Sequence, residues 1–341
     1  MGTNNNLYAG IDVGGTNIKI GILNEKGLLV GNSQIPTAQE EGPEHALLRI
    51  KVEIDSLLAQ NGFPEKEQAG SPLTAAGIIT PGPMDIPAGL ILTPENLPAW
   101  RHFPIRQKLS DLLDRPVSFT NDANGAALGE YWYGGGDRFE SMVMLTLGTG
   151  VGGGIVLGGR GIEGEHSFGA ECGHLIIDHR PEARLCSWGG GRGHLEAYTS
   201  APAVVARTQE ALEAGKGKGS LLEKELTSGA ELSTKLLAQV AQKGDSFSLK
   251  IIEETADYLA VGVTTLAHLI DPNGLLIGGA MTFGGKGTEL GDQFLSWVRE
   301  GFKRRTFAHI RDKTEIEFAQ LGGQAGFYGA AGLAKWNELK E

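Results

Sequence analysis

Residues 9–23, AGIDVGGTNIKIGIL, set Asp12 and the pair Gly14-Gly15 between two apolar runs of strand character. Ile, Val and Leu dominate both runs, so the chain is expected to run extended, turn at the glycines and return as a second strand. A tight hairpin needs one glycine, or two. It needs neither an acid before them nor the hydroxyl of Thr16 immediately after. Backbone N–H groups exposed by successive glycines make an anion site. The stretch therefore reads as a backbone-lined anion turn with a carboxylate beside it, and the rest of the chain has to supply its partners.

At 341 residues the chain is long enough for two domains and a well-buried core. Its 52 glycines are clustered, which points to functional loops in a folded protein and not to a flexible linker. Lys plus Arg is 30 against 41 for Asp plus Glu, a formal charge of −11. Neutralising phosphates of a nucleic acid takes clustered cations, and the nearest approach, GKGKGS from Gly215, reads as a solvated turn; no nucleic-acid partner is expected. Cys172 and Cys186 alone make no disulfide framework, which fits a reducing cytoplasm. The N-terminal residues have no apolar signal core, no later run approaches a membrane span, and Met1-Gly2 lacks the Ser or Thr at residue 6 of a lipidation site. A soluble, cytoplasmic protein is expected, without a membrane partner.

Along the chain, Leu7–Val13, Ile18–Leu23 and Leu28–Ile35 read as three strands and 46–60 as a helix stopped at NGFP. Residues 75–79 form a buried strand entering the rigid loop TPGPMD, 103–113 a helix, and 117–119 a strand that ends at TNDANGAALGEYWYG. Then the pattern restarts. Met142–Leu147 is a strand, GTGVGGG a glycine turn, residues 155–157 open the next strand and 175–177 a third. A helix is expected from His194 through LEAYTSAPAVVARTQEAL and another over 248–270, with a strand at 275–277 running into Gly278-Gly279 and a helical tail. Two halves that each open on strand, glycine turn, strand suggest duplication.

Gly148, Gly150 and Gly153 fit a GxGxxG pattern after a strand. A dinucleotide fold needs a helix to begin there, but the next residues, GIVLGGRG, are strand-like and broken by more glycine. No GxxxxGK[ST], HExxH or GxSxG is present. There remains a pair of strand–glycine–strand turns, each able to offer N–H groups to phosphate oxygens.

The whole set resembles the ROK sugar kinases of the actin-like ATPase fold. DVGGTNIKIGI is similar to their first phosphate motif and LTLGTGVGGGIVLGG to their second; GLLIGGAM resembles the adenosine-side glycine motif, FTNDANGAALGE the catalytic-aspartate motif and GAECGHLIID the sugar-binding ExGH motif. The resemblance covers nearly the whole chain, from Leu7 to about Leu339, and five motifs in the family's order are far more specific than any one of them. The resemblance implies an α/β protein of two lobes with the active site in the cleft between them: a small lobe of residues 1–121 plus 324–341, and a large lobe of 122–323. The C-terminal helix after about Gln324 is expected to return to the small lobe.

It also implies roles. Asp12 would hold Mg²⁺ with ATP, since Mg²⁺ takes one or two carboxylates plus substrate phosphates. Gly14, Gly15, Thr16, Asn17, Gly148, Thr149 and Gly150 would contact phosphates, and Gly278 and Gly279 the adenosine. Lys19 reads as a solvated strand residue and is given no role. Asn121-Asp122 is where a helix N-cap belongs, and the helix dipole favours a charged carboxylate in the first turn. That position is compatible with Asp122 acting as the catalytic base. Glu171, His174, Asn96, Asn121 and Glu196 resemble sugar contacts, and Gly82 would let its loop pass close to the sugar.

Many ROK proteins follow the ExGH motif with CxCGxxGCxE, whose three cysteines bind a structural zinc together with the motif histidine. Aligned on Glu196, those positions hold Ser187, Gly189 and His194. Ser and Gly cannot supply thiolates, and Cys186 sits one residue early. A metal-free loop packed around Trp188 is expected, the alternative being an improvised site from Cys186, His194, His174 and His179.

The implied activity is transfer of the γ-phosphoryl of MgATP to the 6-hydroxyl of a hexose, glucose first, with fructose, mannose, allose and N-acetylhexosamines open because few contacts separate them. A sugar-sensing regulator is disfavoured, since the first strand begins at Leu7 and leaves no room ahead of it for a helix-turn-helix. An actin- or chaperone-like ATPase is disfavoured by the ECGH and Asn-Asp motifs. A homodimer is left open, as no residue marks an interface.

Overall fold

A computed structural model describes residues 6–63, 72–186 and 190–339. The chain divides into two compact units: Met1–Arg138, Gly154–Ala170 and Leu321–Glu341 form the first, Phe139–Gly153 and Glu171–Gln320 the second.

The first unit is built on strands β1 (Leu7–Val13), β2 (Asn17–Asn24), β3 (Leu29–Pro36), β4 (Leu73–Thr80) and, after the short ribbon β5 (Met84–Asp85) and β6 (Leu90–Ile91), β7 (Val117–Asn121). Their order is β3-β2-β1-β4-β7; β1 pairs antiparallel with β2, while β1, β4 and β7 run parallel. Helices α1 (Gly42–Gln60) and α2 (Ile105–Leu113) supply one apolar layer, and α3 (Asp122–Tyr133) follows β7 directly. The period of two along β1 sorts its residues. Leu7, Ala9, Ile11 and Val13 enter the core shared with α1 and α2, while Tyr8 enters a second cluster with Ala331 and Ala334 of the C-terminal helix. Asp12 falls on the Tyr8 side. Sequence parity therefore aims that carboxylate away from the large core.

The second unit carries β8 (Ser141–Leu147), the start of β9 (Val151–Leu157), β11 (Gly274–Gly279) and β12 (Glu315–Phe318), in the order β9-β8-β11-β12, while β10 (Arg160–Gly161) falls among the residues of the first unit. Its helices are α4 (Glu196–Thr199), α5 (Ala201–Glu213), α6 (Leu221–Thr227), α7 (Thr234–Gln242), α8 (Ser246–Ile270), α9 (Glu289–Arg305) and α10 (Ala308–Arg311). The single helix expected from His194 is in fact two. Ser200 turns extended, caps α5 by accepting from Ala203 N–H at 3.4 Å, and is followed by Pro202 in the first turn. The strand expected over 175–177 does not form; Ile176 makes only an isolated bridge to His194.

Helix α11 (Ala325–Glu338) belongs to the first unit, as expected for the tail. It lies against α3, with glycine facing glycine: a Cβ on Gly329 would stand 2.7 Å from the Gly125 carbonyl carbon and 2.8 Å from Gly129 N. This close contact ties residues 122–138 to the first unit, and 154–170 join them. The compact units thus differ from the division at 121/122 expected from the resemblance. No helix among the described residues is long and apolar enough to cross a membrane.

Candidate active site

In the first unit the parallel strands bring their C-terminal ends to one edge of the sheet. Asp12 is in register with Ile79, and Thr80 with Asn121. The turn after β1, the TPGPMD loop after β4 and the start of α3 after β7 therefore leave from the same edge, which is where ligand-binding loops of parallel α/β sheets gather. Gly14 N–H closes the first turn on the Asn17 carbonyl at 2.9 Å, and Thr16 is exposed. The turn's carbonyls are tied back from behind. The Thr37 hydroxyl donates to Gly14 O and the Gln39 amide to Gly15 O, both at 2.6 Å, and Thr37 N–H donates to Thr16 O at 2.8 Å. Thr37 is fully buried and Gln39 follows it closely in sequence, yet nothing local marked either as a support of this turn.

Burial pushes the Asp12 carboxyl above its ordinary range, and Lys19, its cross-strand partner, opposes that. Lys19 also donates to Gly323 O at 2.7 Å, just before α11 begins. It is thus a joint between β2 and the returning helix as well as the neighbour of Asp12. Gly326 in the first turn of α11 has the Asp12 carboxylate against it, leaving no space for a side chain.

Asn121 is the N-cap of α3: its side chain accepts from Asn124 N–H at 2.7 Å. Asp122 is the first helical residue, exposed, with Oδ1 accepting from Ala123 N–H at 2.8 Å. Capping leaves the Asn121 amide nitrogen, but not its bonded oxygen lone pair, for another partner. Asn96 is exposed near Gly15, its carbonyl 3.2 Å from where a Gly15 Cβ would be, and Gly82 is exposed in its loop.

The second unit assembles the remaining residues. β8 and β11 run parallel, with Gly278 beside Thr146 and Gly279 beside Leu147. Gly278 and Gly279 therefore adjoin the strand that enters Gly148-Thr149-Gly150. Gly279 has φ of 90° and lies so close to Leu147 that a Cβ would meet its backbone. The turn closes through Gly148 N–H to Gly150 O at 2.9 Å, and Ala201 N–H holds Gly148 O at 2.8 Å. Glu196 is buried, its Oε2 accepting from Val151 N–H at 2.9 Å and its Oε1 lying 3.4 Å from Cys186 Sγ. Glu171 is exposed, its carboxyl pushed up chiefly by desolvation, and its Oε2 lies 3.8 Å from His174 Nε2.

The ROK family model matches residues 8–337. The chain belongs to the ROK family. A glucokinase of Halalkalibacterium halodurans is 32% identical over 331 residues, covering 97% of this chain and 96% of that one. The structure of a ROK hexokinase from Thermus thermophilus matches with a TM-score of 0.80 at 30% identity, over 98% of this chain and 99% of the other. A ROK family glucokinase from Streptomyces griseus, solved with glucose and AMPPNP, matches with 0.74 at 31% identity over 97% and 99%. The fold is accordingly the two-lobed actin-like ATPase fold of ROK sugar kinases.

The resemblance to the ROK zinc motif directs attention to the loop between His174 and Glu196. Ser187, Trp188 and Gly189 lie outside the described residues. Of the four candidate ligands, His174, Cys186 and His194 gather their donor atoms within 4.8 Å of one another, and His179 is not among them. Burial and the neighbouring His174 lower the His194 pKa, with Glu196 opposing.

Proposed function

We propose that this ROK protein is an ATP-dependent hexose kinase and that glucose is its substrate. The observation carrying the proposal is the single sheet edge of the first unit, where an anion turn with a carboxylate and an exposed helix-start aspartate leave parallel strands that flank β4 on either side. The glucokinase relatives and the glucose–AMPPNP complex of a family member support the substrate pair.

The Thr37 and Gln39 bonds turn the carbonyls of the Gly14-Gly15-Thr16 turn away, leaving the Gly15 and Thr16 N–H groups and the Thr16 hydroxyl for phosphate oxygens. In the second unit Gly148-Thr149-Gly150 serves the phosphates in the same way, and Gly278-Gly279 the adenosine. The oxygen donors Asp12 and Thr16 suit a hard cation, so Asp12 would hold Mg²⁺, which supplies charge neutralisation on the transferring phosphoryl group.

Asp122 accepts the proton of the attacking 6-hydroxyl. It stands in the first turn of α3, the end of a helix whose dipole attracts negative charge. Asn96, Asn121, Glu171, His174 and Glu196 orient the sugar, and Gly82 lets its loop approach; Glu196 does so while holding Val151 N–H, so sugar position and the second turn are joined through one carboxylate.

The test is an ADP-release assay with MgATP and a hexose panel on wild type and Asp122→Ala. Turnover on glucose that disappears in the variant supports the proposal. Turnover on another hexose alone overturns the substrate, and ATP binding without sugar-dependent turnover overturns the activity.

A further inference from the structure

Strand β3 ends at Pro36, and the chain leaves the extended path soon after it. Ala38 stands at φ 46° and ψ 63°, in the left-handed region that residues other than glycine avoid. Nothing in an alanine side chain favours that conformation, so a contact from elsewhere has to hold it.

Arg49 of α1 supplies that contact. In a strand, neighbouring residues turn their carbonyls to opposite edges, but here the carbonyls of Pro36 and Thr37 both meet one guanidinium. Nη1 donates to Pro36 O and Nη2 to Thr37 O, each at 2.7 Å. Glu41 Oε2 lies 3.4 Å from Nε and helps to orient the fork. A planar guanidinium carries two donors at a fixed separation, which a lysine ammonium does not.

The bend held in this way carries the support of the glycine turn after β1. Thr37, just before Ala38, gives its hydroxyl to Gly14 O and its N–H to Thr16 O; Gln39, just after it, gives its amide to Gly15 O. The two supports therefore straddle the one left-handed residue, and its conformation sets how they face the turn. Attachment of α1 to the sheet does not account for Arg49, because that helix already buries Ala46, Leu47, Ile50, Ile54, Leu57 and Leu58.

We propose that Arg49 is a positioning residue for the turn Gly14-Gly15-Thr16. By gripping the Pro36 and Thr37 carbonyls it keeps Ala38 left-handed, and so keeps Thr37 and Gln39 against the three carbonyls of the turn. Arg49 acts through these residues, and the nucleotide gains from a turn that is ordered before it binds. The inference rests on the reading of this turn as a phosphate site.

The experiment uses the full chain. Calorimetry of AMPPNP binding with Mg²⁺ reads the turn without turnover, and ADP release with MgATP titrated at saturating glucose reads it with turnover. Arg49→Met keeps the aliphatic stem and removes every donor; it should weaken AMPPNP binding and raise KM for MgATP by roughly 3–10-fold. Its kcat should stay within about twofold of wild type, the pattern of a lost binding contribution. Arg49→Lys should behave like Arg49→Met, since one ammonium cannot reproduce the fork. Ala38→Gly should be near wild type alone, and in the Arg49→Met background should restore binding to within about twofold, because glycine holds the bend without the arginine. The Arg49 side chain is 32% exposed, and circular dichroism establishes that each variant is folded. A role confined to pinning α1 would lower the melting temperature and leave nucleotide binding unchanged. Binding altered by less than about twofold in Arg49→Met overturns the inference and leaves the phosphate site standing. So does a loss that Ala38→Gly fails to recover, or an Arg49→Lys protein that matches wild type. Wild type that binds no AMPPNP overturns the phosphate reading itself, and the inference with it.

Discussion

Replacing Gly329 by Ala puts one methyl group into the contact between α11 and α3. The new Cβ would lie 2.7 Å from the Gly125 carbonyl carbon and 2.8 Å from Gly129 N, where ordinary contact begins at 3.4 Å. All of these neighbours are backbone, and the Gly125 carbonyl oxygen is nearer still, so no side chain can swing aside and α3 has to retreat by more than about 1 Å. Two effects compete. Helix propensity favours Ala over Gly by about 1 kcal/mol. Overpacking a close contact costs about 1–3 kcal/mol, and here the displaced groups belong to a helix spine. Destabilisation should win, and thermal denaturation should show a lower Tm. Function should suffer more than stability, because α3 begins at Asp122. A displacement near 1 Å at a catalytic group costs on the order of 10²-fold in rate. The assay is steady-state ADP release with saturating glucose, alongside a melting curve and KM for MgATP. The expected pattern is a large fall in kcat with a smaller change in KM, because the turn after β1 is anchored through Thr37 and Gln39 and not through α3. A Gly329→Ala protein that is as stable as wild type and turns over within a few-fold of it would refute the claim that this contact positions Asp122.

Asp122→Asn keeps an oxygen for Ala123 N–H and lies at an exposed position, so Tm should hold while kcat falls by roughly 10²–10⁴-fold, the range of general-base contributions; rates within tenfold of wild type would remove Asp122 as the base. Thr37→Val leaves the half-buried Gly14 carbonyl without its hydroxyl donor, a cost of about 1 kcal/mol, and KM for MgATP should rise several-fold by titration, with an unchanged KM counting against the anchoring role. Asp12 has its carboxyl raised by burial, so its folded form holds the proton more tightly than the unfolded chain does. Its contribution to stability is present below the unfolded value of 3.8 and is lost as pH rises through the folded one. Asp12→Asn should therefore melt higher than wild type at pH 7 without MgATP, converge with it in acid, and lose kinase activity. A lower Tm for that variant at pH 7 would show that the Lys19 pairing outweighs the burial.

The parts of the site that sequence made legible are those whose chemistry is local. A glycine pair after a strand can only turn, and an Asx pair after a strand ends in a cap; both motifs sit where they were read, at Gly14-Gly15 and at Asn121-Asp122. The break between α4 and α5 was also written locally, as Ser200 followed by Pro202, and was overridden by the apolar spacing on either side. The allegiance of α3 was not local in that sense. Gly125 and Gly129 form a small-residue stripe four residues apart, but its meaning depends on Gly329, far along the chain, offering an equally bare surface. Thr37 is a further step removed: a buried threonine after a strand looks like core, and only the folded backbone shows that its hydroxyl reaches Gly14.

The cluster at His174, Cys186 and His194 shows what alignment on Glu196 leaves out: three donors meet although Cys186 stands one residue early. Alignment on Glu196 assumes that every residue between two ligands advances the chain by the same amount. The bridge of Leu185 to Arg192, with Cys186 N–H donating to Gly191 O at 2.8 Å, instead fixes where the loop must begin and end, whatever number of residues it contains. A loop closed at its base can absorb one extra residue at little entropic cost, because closure entropy grows only with the logarithm of length. Cys186 can thus stand one place early in sequence and still deliver its sulfur to the two imidazoles. His194 arrives by the other bridge, to Ile176, two residues beyond His174. Ladder contacts at the base of the loop, not spacing within it, decide which side chains meet.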